Sequence, residues 1–286
     1  MKTKPTTTKE YHKRMNMLTE YIHLHLADEL SVDVLASVCN FSPYHFHRIT
    51  RAFLGEPIGS YILRLRAEKA AYALKYTEQS VQDIAYNVGY NSPSSLTKVF
   101  NQYYQLSPTL FRKQQKDTTM KTEIDKEGLN VKGPKIIEVT GKTALYIRLT
   151  GSYSGLDYGA AWEKLWGQVK VQKLFGKGIE HICIYHDDPQ ITKSAKLRTD
   201  VCLVICKPAE PNGEIGVKEI AGGVYAMFLY QGSYDRLGEV YDYIYGTWLP
   251  QSGMQLRDVP GFEKYVSNPK MVAPEKLKTE IYIPVQ

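Results

Sequence analysis

Two different internal repeats divide this chain of 286 residues, and they limit the folds that it can adopt. In the first part, residues 30–36 (LSVDVLA) return as residues 79–85 (QSVQDIA). A Ser-Pro pair follows each copy, beginning at Ser42 and at Ser92. Because order and spacing are kept in both copies, we predict that this part is built from two similar structural units.

A second, unrelated repeat occupies the later part of the chain. Residues 151–156 (GSYSGL) return as residues 232–237 (GSYDRL), and residues 197–201 (LRTDV) return as residues 277–281 (LKTEI). The two offsets, 81 and 80 residues, differ by a single position, as a small insertion between copies would produce. The chain is therefore predicted to contain two domains, each made of two similar units.

The period of the apolar residues changes between the two parts. Up to about residue 112 they recur at three- to four-residue steps, as one face of a helix requires, and after residue 136 many alternate as in strands. The first helical face contains Met15, Leu18, Ile22 and Leu26. Residues 117–133 are polar and show no period, which is typical of a linker. We predict an all-α domain at residues 1–116, a linker at 117–133 and an α+β domain at 134–286.

The positive charge of the chain is confined to its helical part. Residues 1–116 carry 15 Lys and Arg against 9 Asp and Glu, whereas residues 117–286 carry 21 of each kind, and the total is +6. A compact basic domain joined to a neutral one indicates a polyanionic partner for the basic domain only.

Composition excludes several classes of protein. No apolar run approaches the ~18 residues of a membrane span, so no membrane partner is expected. The four cysteines are widely spaced and form no CxxC pair, which argues against a disulfide framework and a zinc ribbon. The sequence therefore predicts a soluble cytoplasmic protein with no metal and no cofactor.

Each copy of the first repeat has the pattern of a helix-turn-helix unit. A short helix ends at a residue that suits a tight turn, Asn40 or Gly89, and Ser42 or Ser92 can then cap a second helix. The second helix of such a unit enters the major groove of DNA. The side chains predicted to face DNA are Tyr44, His45, His47, Arg48 and Arg51 in the first unit, and Ser94, Ser95, Thr97 and Lys98 in the second.

A helix is predicted between the two units, over residues 58–76. At ~1.5 Å per residue its 19 residues reach ~28 Å, close to the ~34 Å between successive major grooves on one side of DNA. A single chain could therefore read two adjacent grooves without dimerising. Arg64, Arg66 and Lys69 of this helix are predicted to face solvent or phosphate.

Residues 15–112 resemble the AraC/XylS family of transcription regulators. Residues 84–100 (IAYNVGYNSPSSLTKVF) and 106–112 (LSPTLFR) carry the resemblance. It implies double-stranded DNA as partner, with Tyr44, His47 and Arg48 as reading residues of the first unit. The second unit has small hydroxyl residues where many family members are basic, which favours phosphate positioning by Ser94, Ser95, Thr97 and Lys98.

Each copy of the second repeat reads as strand, helix, strand, strand. The strands are expected within residues 136–149 and near 181–185, 199–206, 223–230, 262–266 and 277–285, with helices within 156–172 and near 235–249. Two such units would join into one antiparallel sheet with helices on one face. A concave groove between the units is then the default ligand site.

Aromatic residues and one acid are the candidate ligand residues of this domain. Alternation places Glu263 and Tyr265 on the same face of a strand. A carboxylate among aromatic rings favours an organic cation, but the pattern equally allows Glu263 to face water. The aromatic candidates are Tyr146, Trp162, Trp166, Tyr230 and Tyr265.

Residues 134–286 resemble the GyrI-like effector-binding domain. Residues 260–265 (PGFEKY), 277–285 (LKTEIYIPV) and 185–189 (YHDDP) carry this resemblance. It implies a multidrug-type pocket for a hydrophobic or cationic effector, with Glu263 as the ligand-facing acid. Together the two domains resemble Rob-type regulators, which implies an activator that contacts RNA polymerase; the sequence leaves monomer and dimer open.

Two other functions remain open for the second domain. It could be a weak hydrolase that uses Glu263, or a module that sequesters a ligand or a protein. No Ser-His-Asp set, metal-ligand cluster, phosphate-binding loop or dinucleotide fingerprint accompanies Glu263, so we predict that the chain is not an enzyme.

Overall fold

The computed structural model describes residues 5–119 and 128–286. The chain divides into two compact units. The first comprises Met1–Thr118 together with Asn212–Glu214, and the second comprises Thr119–Pro211 and Ile215–Gln286. No helix among the described residues is long and apolar enough to cross a membrane.

The described part of the first unit is helical throughout its regular structure. Its helices are α1 (Pro5–Leu24), α2 (Val32–Val38), α3 (Pro43–Leu54), α4 (Ile58–Tyr76), α5 (Val81–Asn87), α6 (Pro93–Tyr104) and α7 (Pro108–Thr119). The predicted face of α1 is buried from Met15 to Leu26 against Leu35 and Phe46 of the first repeat copy. Phe53, which lies seven residues after Phe46, is 42% exposed, because Thr50 takes the inward position of the last turn of α3.

The two copies of the first repeat have the same turn geometry. Asn40 and Gly89 have positive φ angles of 52° and 87°. The next amide bonds back to the preceding helix in both copies, Phe41 to Ala36 at 2.9 Å and Tyr90 to Ala85 at 2.8 Å. A Cβ atom at Gly89 would lie 2.7 Å from the Arg66 guanidinium, so only glycine fits there.

Helix α4 has the predicted bounds and is unbroken, but its arginines do not face solvent or phosphate. Arg64 is buried and pairs with Glu56 and Glu68. Arg66 donates to the carbonyl oxygens of Leu26 at 2.9 Å, Asp28 at 2.7 Å and Gly89 at 2.8 Å. The solvent-facing prediction was wrong for both, because their guanidinium groups satisfy acidic side chains and turn carbonyls that no sequence pattern marks.

The second unit is one sheet with helices. Its elements are β1 (Val131–Val139), β2 (Lys142–Thr150), α8 (Tyr158–Val171), β3 (His181–Tyr185), β4 (Arg198–Val204), β5 (Gly216–Ile220), β6 (Gly223–Gln231), α9 (Leu237–Tyr243), α10 (Leu249–Ser252), β7 (Phe262–Tyr265) and β8 (Lys278–Pro284). A wider helical turn, Ile244–Trp248, joins α9 to α10.

The strand order is β1-β6-β8-β7-β3-β4-β2-β5, and every strand pairs antiparallel with its neighbour. Exchanging the two repeat copies reverses this order onto itself, so the domain has pseudo-two-fold symmetry between β3 and β7. The first strand of each copy, β1 or β5, pairs with the other copy. The sequence interpretation placed one strand within 136–149 and none at 216–220, because it followed only strands inside each copy.

The prediction of a single antiparallel sheet with helices on one face is confirmed. Leu145 and Ile147 of β2 pack under Leu165 of α8, and Phe228 of β6 packs with Val240 of α9. The alternate residues of the strands form a separate apolar cluster on the opposite face.

The predicted linker overlaps regular structure at both ends. Residues 117–119 belong to α7, and residues 131–133 belong to β1. Residues 120–127 lie outside the described residues. The division into residues 1–116, 117–133 and 134–286 stays a prediction.

Candidate functional site

The exposed side of α3 carries every candidate DNA-reading residue of the first unit. Tyr44 is 87% exposed, and the other five side chains are exposed as well. They are Ser42, His45, His47, Arg48 and Arg51. Ser42 makes no capping hydrogen bond, so its hydroxyl does not close the first turn of α3. The helix thus presents two cations, two imidazoles and a phenol to solvent.

The corresponding side of α6 is chemically different. The Ser92 hydroxyl accepts a hydrogen bond from the Ser95 amide at 3.2 Å and lies 2.9 Å from the Ser95 hydroxyl. The Thr97 hydroxyl donates to the Pro93 carbonyl at 2.9 Å. Local bonds therefore occupy these three hydroxyls, whereas Ser94 and Lys98 are exposed.

Glu263 lies at the centre of the sheet in the second unit. Direct strand pairing forms one row across six strands, in the order Ile147, Val201, Cys183, Glu263, Ile281 and Phe228. Glu263 is the charged residue of that row and is 1% exposed. The alternative that Glu263 faces water was therefore wrong, because both neighbouring strands and the helical layer cover it.

Tyrosine hydroxyl groups surround the Glu263 carboxylate. The Tyr265 hydroxyl donates to its Oε2 atom at 2.8 Å, and Tyr241 of α9 hydrogen-bonds to the same carboxylate. The Tyr185 and Tyr265 hydroxyls lie 3.0 Å apart, and Tyr158 of α8 hydrogen-bonds to Tyr185. We call Tyr158, Tyr185, Tyr241 and Tyr265, with the two tyrosines of the following paragraph, the tyrosine cage.

The duplicated GSY segments complete this cage. Each forms one short helical turn, Tyr153–Gly155 and Tyr234–Arg236. The Tyr153 ring packs edge-on against Tyr185 with centroids 4.8 Å apart, and the Tyr234 ring packs edge-on against Tyr265 at 5.3 Å. The repeat that the sequence displays therefore supplies the two symmetric walls of the site.

Burial sets the electrostatics of the site. It raises the pKa of Glu263 to about 7, although the hydrogen bonds from Tyr265 and Tyr241 lower that pKa. Within the part of the chain that the structure describes, Glu263 has no cationic partner. A carboxylate that loses water without gaining a positive charge prefers its neutral form.

A second buried acid on the other face of the same sheet shows the contrast. Asp200 forms ion pairs with Arg148, Lys218 and His186. Burial alone would raise the pKa of Asp200, but Arg148 and Lys218 hold it well below its usual range. The fold thus neutralises Asp200 with its own cations and gives Glu263 only hydroxyl groups.

The structure brings together only some of the predicted aromatic residues. Trp162 and Trp166 share the apolar cluster of Tyr265 and pack on His181, to which the Trp166 indole donates at 3.2 Å. Tyr230 lies on the same face, and its hydroxyl donates to the Ser233 carbonyl at 2.9 Å.

Tyr146 lies on the face of the sheet opposite Glu263 and packs under Lys218 at 4.6 Å. Its assignment to the same pocket was wrong, because alternation along β2 turns it away from the helices.

Sequence reasoning missed Tyr158, Tyr185 and Tyr241 as neighbours of Glu263, and it also missed Cys183. The offset of 80 residues between the copies is the signal that could have found two of them, since it relates Tyr185 to Tyr265 and Cys183 to Glu263.

Two family models match the chain. Residues 133–286 match the GyrI-like small molecule binding domain, and residues 35–114 match a helix-turn-helix domain. The right origin-binding protein of Escherichia coli K12 is 23% identical over 281 residues, which cover 92% of this chain and 94% of that protein.

Other relatives match the helical part alone. YbfP of Bacillus subtilis strain 168, an uncharacterized helix-turn-helix-type transcriptional regulator, is 34% identical over 113 residues, covering 40% of this chain and 38% of that protein. This chain spans only 33% to 38% of the length of three such curated relatives. A solved transcriptional regulator of Chromobacterium violaceum, of AraC type, is 22% identical over 36% of this chain and 91% of that one, with a TM-score of 0.34.

Proposed function

The chain belongs to the GyrI-like small-molecule-binding family and joins that domain to an AraC-type DNA-binding helix-turn-helix domain, and from this premise we propose that it is a transcription regulator that senses an organic cation. The observation that carries the sensing role is the buried Glu263 carboxylate, which tyrosine hydroxyls surround and no described cation neutralises. A bound cation would supply the missing charge, and aromatic rings attract cations through their faces.

The DNA-binding role is supported by the exposed residues of α3 and α6 and by the basic charge of residues 1–116. Arg48 and Arg51 suit base edges and phosphates, since a guanidinium can donate two parallel hydrogen bonds. Ser94 and Lys98 of α6 suit phosphate positioning. Because both helices belong to one chain, a bipartite site can be read by a monomer.

DNA binding by the full chain is expected to weaken steeply with salt. Contacts with ~5 phosphates would give a slope of about −4.5 in a plot of log K against log salt concentration, because Lys and Arg side chains release condensed counterions. Fluorescence anisotropy with a labelled duplex measures this slope between 50 and 300 mM salt. A flat plot, or no binding at the lowest salt, would contradict the DNA-binding assignment.

Arg48 and Lys98 are expected to contribute differently to binding. Arg48→Ala should cost ~1–3 kcal/mol on a selected duplex and much less on random DNA, because a base contact is sequence-dependent. Lys98→Ala should weaken both duplexes equally, since a phosphate contact carries no sequence information. Selection of binding sites from a random pool provides the specific duplex. Equal losses on both duplexes for Arg48→Ala would show that it contacts phosphate only.

Binding of a permanent cation is expected to depend on pH. The pKa of Glu263 is raised to about 7, so below that value the neutral carboxyl must lose a proton before the cation binds. Affinity should therefore rise about tenfold per pH unit up to pH ~7 and level off above it. Isothermal titration of a quaternary ammonium ligand between pH 5.5 and 8.5 measures this. Affinity that is constant over this range would mean that Glu263 does not supply the charge.

The decisive test couples the two domains in the full chain. Aromatic quaternary ammonium compounds and their neutral analogues are screened by thermal shift, and any hit is added to DNA footprinting. We expect the cations to raise the melting temperature and to change the footprint. Stabilisation by neutral analogues alone would overturn cation sensing.

We further propose that the regulator activates transcription and contacts RNA polymerase. The proposal is supported by the AraC-type domain together with the two reading helices of one chain. In vitro transcription with purified polymerase, with and without a ligand from the screen, tests it. Lower transcript levels on adding the protein would make it a repressor.

A second candidate function for the same site is weak hydrolysis. A carboxyl group with a pKa of about 7, held beside tyrosine hydroxyls, suits general acid–base catalysis. We rank it below sensing, since relatives along nearly the whole chain are named as a regulator and an origin-binding protein. Hydrolysis of an activated ester that Glu263→Gln abolishes would favour it.

A further inference from the structure

The pseudo-two-fold axis of the sheet passes between two chemically different residues. Cys183 of β3 and Glu263 of β7 are directly paired, so their side chains lie on the same face, with Cβ atoms ~5 Å apart. An offset of 80 residues relates the two, as it relates Val201 to Ile281 in the same row. Cys183 is therefore the counterpart of Glu263 in the other repeat copy.

The aromatic surroundings of this pair are nearly symmetric. Tyr185 and Tyr265 meet through their hydroxyls at 3.0 Å, and Tyr153 and Tyr234 pack edge-on against them at 4.8 and 5.3 Å. Each copy thus supplies one strand tyrosine and one turn tyrosine. The rings offer the same attraction to a cation from both sides of the axis.

The charge at the axis is not symmetric. Cys183 and Glu263 are 0% and 1% exposed. Burial and then the neighbouring Glu263 carboxylate raise the pKa of the Cys183 thiol well above its usual range, so the thiol carries no charge near neutral pH. The tyrosine cage therefore holds one negative charge in a space where a duplicated acid would give two.

We propose that Cys183 is a specificity-determining residue, which restricts the tyrosine cage to organic ions with a single positive charge. The inference rests on the proposed function, since it concerns the ligand of the same site. One ammonium group neutralises Glu263. A second ammonium group a few ångströms away would be buried against a neutral thiol, and an uncompensated charge in such a place is costly.

The test compares two compact ions with the full chain at pH 8. The probes are phenyltrimethylammonium and 1,4-phenylene-bis(trimethylammonium), which share a ring and differ in charge. We expect the wild-type protein to bind the singly charged ion at least ~30-fold more tightly, because the second charge stays unpaired. Similar affinities would overturn the inference and leave cation sensing intact, whereas binding of neither ion would overturn both.

Two substitutions separate charge from shape at this position. Cys183→Asp adds the missing carboxylate and should shift the affinity ratio toward the doubly charged ion by at least ~10-fold, since the new pair is buried. Cys183→Asn has the same shape without the charge and should keep the preference for the single charge. The same ratio in both variants would overturn the inference. If Cys183→Asp fails to fold, the wild-type ratio alone decides.

Discussion

Replacing Glu263 by glutamine is expected to weaken binding of a permanent organic cation by at least about 100-fold. The substitution keeps the size of the side chain and removes its charge. Breaking a buried ion pair by removing one partner costs ~3–5 kcal/mol, because the remaining charge stays desolvated without a counter-charge. The Glu263→Gln protein should also lose the pH dependence of binding below pH 7, since the titrating group is gone.

The control is a neutral ligand of the same shape together with an exposed acid. A tert-butylbenzene analogue should bind Glu263→Gln and wild-type protein within about threefold, because apolar contacts with the rings are unchanged. Glu163→Gln, on the exposed side of α8, should leave cation binding at the wild-type level. Isothermal titration with each ligand measures both. Cation binding that survives in Glu263→Gln would remove the carboxylate from the site.

Replacing Arg66 by methionine is expected to destabilise the helical domain by about 3 kcal/mol. Its guanidinium donates to Leu26 and Asp28, which precede the first helix-turn-helix unit, and to Gly89 in the turn of the second. Hydrogen bonds to charged groups contribute ~1.5–3 kcal/mol each, and methionine leaves all three carbonyl oxygens without this donor. One side chain of α4 thus holds segments of both reading units.

Amide hydrogen exchange in the full chain separates this effect from a general loss of charge. In Arg66→Met, the Gly89 and Tyr90 amides, which bond to Tyr86 and Ala85, should exchange at least ~10-fold faster, since opening of the turn costs less. Lys113→Met removes a charge from an exposed position of α7 and should leave these amides protected. Unchanged exchange in Arg66→Met would show that α4 does not tie the two units together.

The helical domain could be predicted closely because its signals are local. The bounds of α4 agree with the predicted residues 58–76, and the turns at Asn40 and Gly89 have the positive φ angles that their residue types suggested. Capping, turn chemistry and apolar period act within a few residues. The ties made by Arg66 were not predicted, since Leu26 and Gly89 are 40 and 23 residues away from it in the chain.

The candidate ligand site was only partly predictable. Alternation placed Glu263 and Tyr265 on one face, and the structure has them hydrogen-bonded at 2.8 Å. Alternation cannot say which face the helices cover, so it left Glu263 open between pocket and solvent and put Tyr146 with the wrong cluster. Tyr241 joined the site because α9 lies over β7, which is a matter of packing.

By itself, the sequence determined the two duplications, the helix-turn-helix plan of the basic part and the presence of one acid in an aromatic strand, because each is written in short-range periods or in repeated motifs. Only the tertiary structure decided that β1 and β5 cross to the opposite copy, that Cys183 faces Glu263, and that Asp200 receives cations whereas Glu263 receives tyrosines. These depend on which strands become neighbours and which face is covered. Both are settled by packing between segments up to 80 or more residues apart, which no local pattern records.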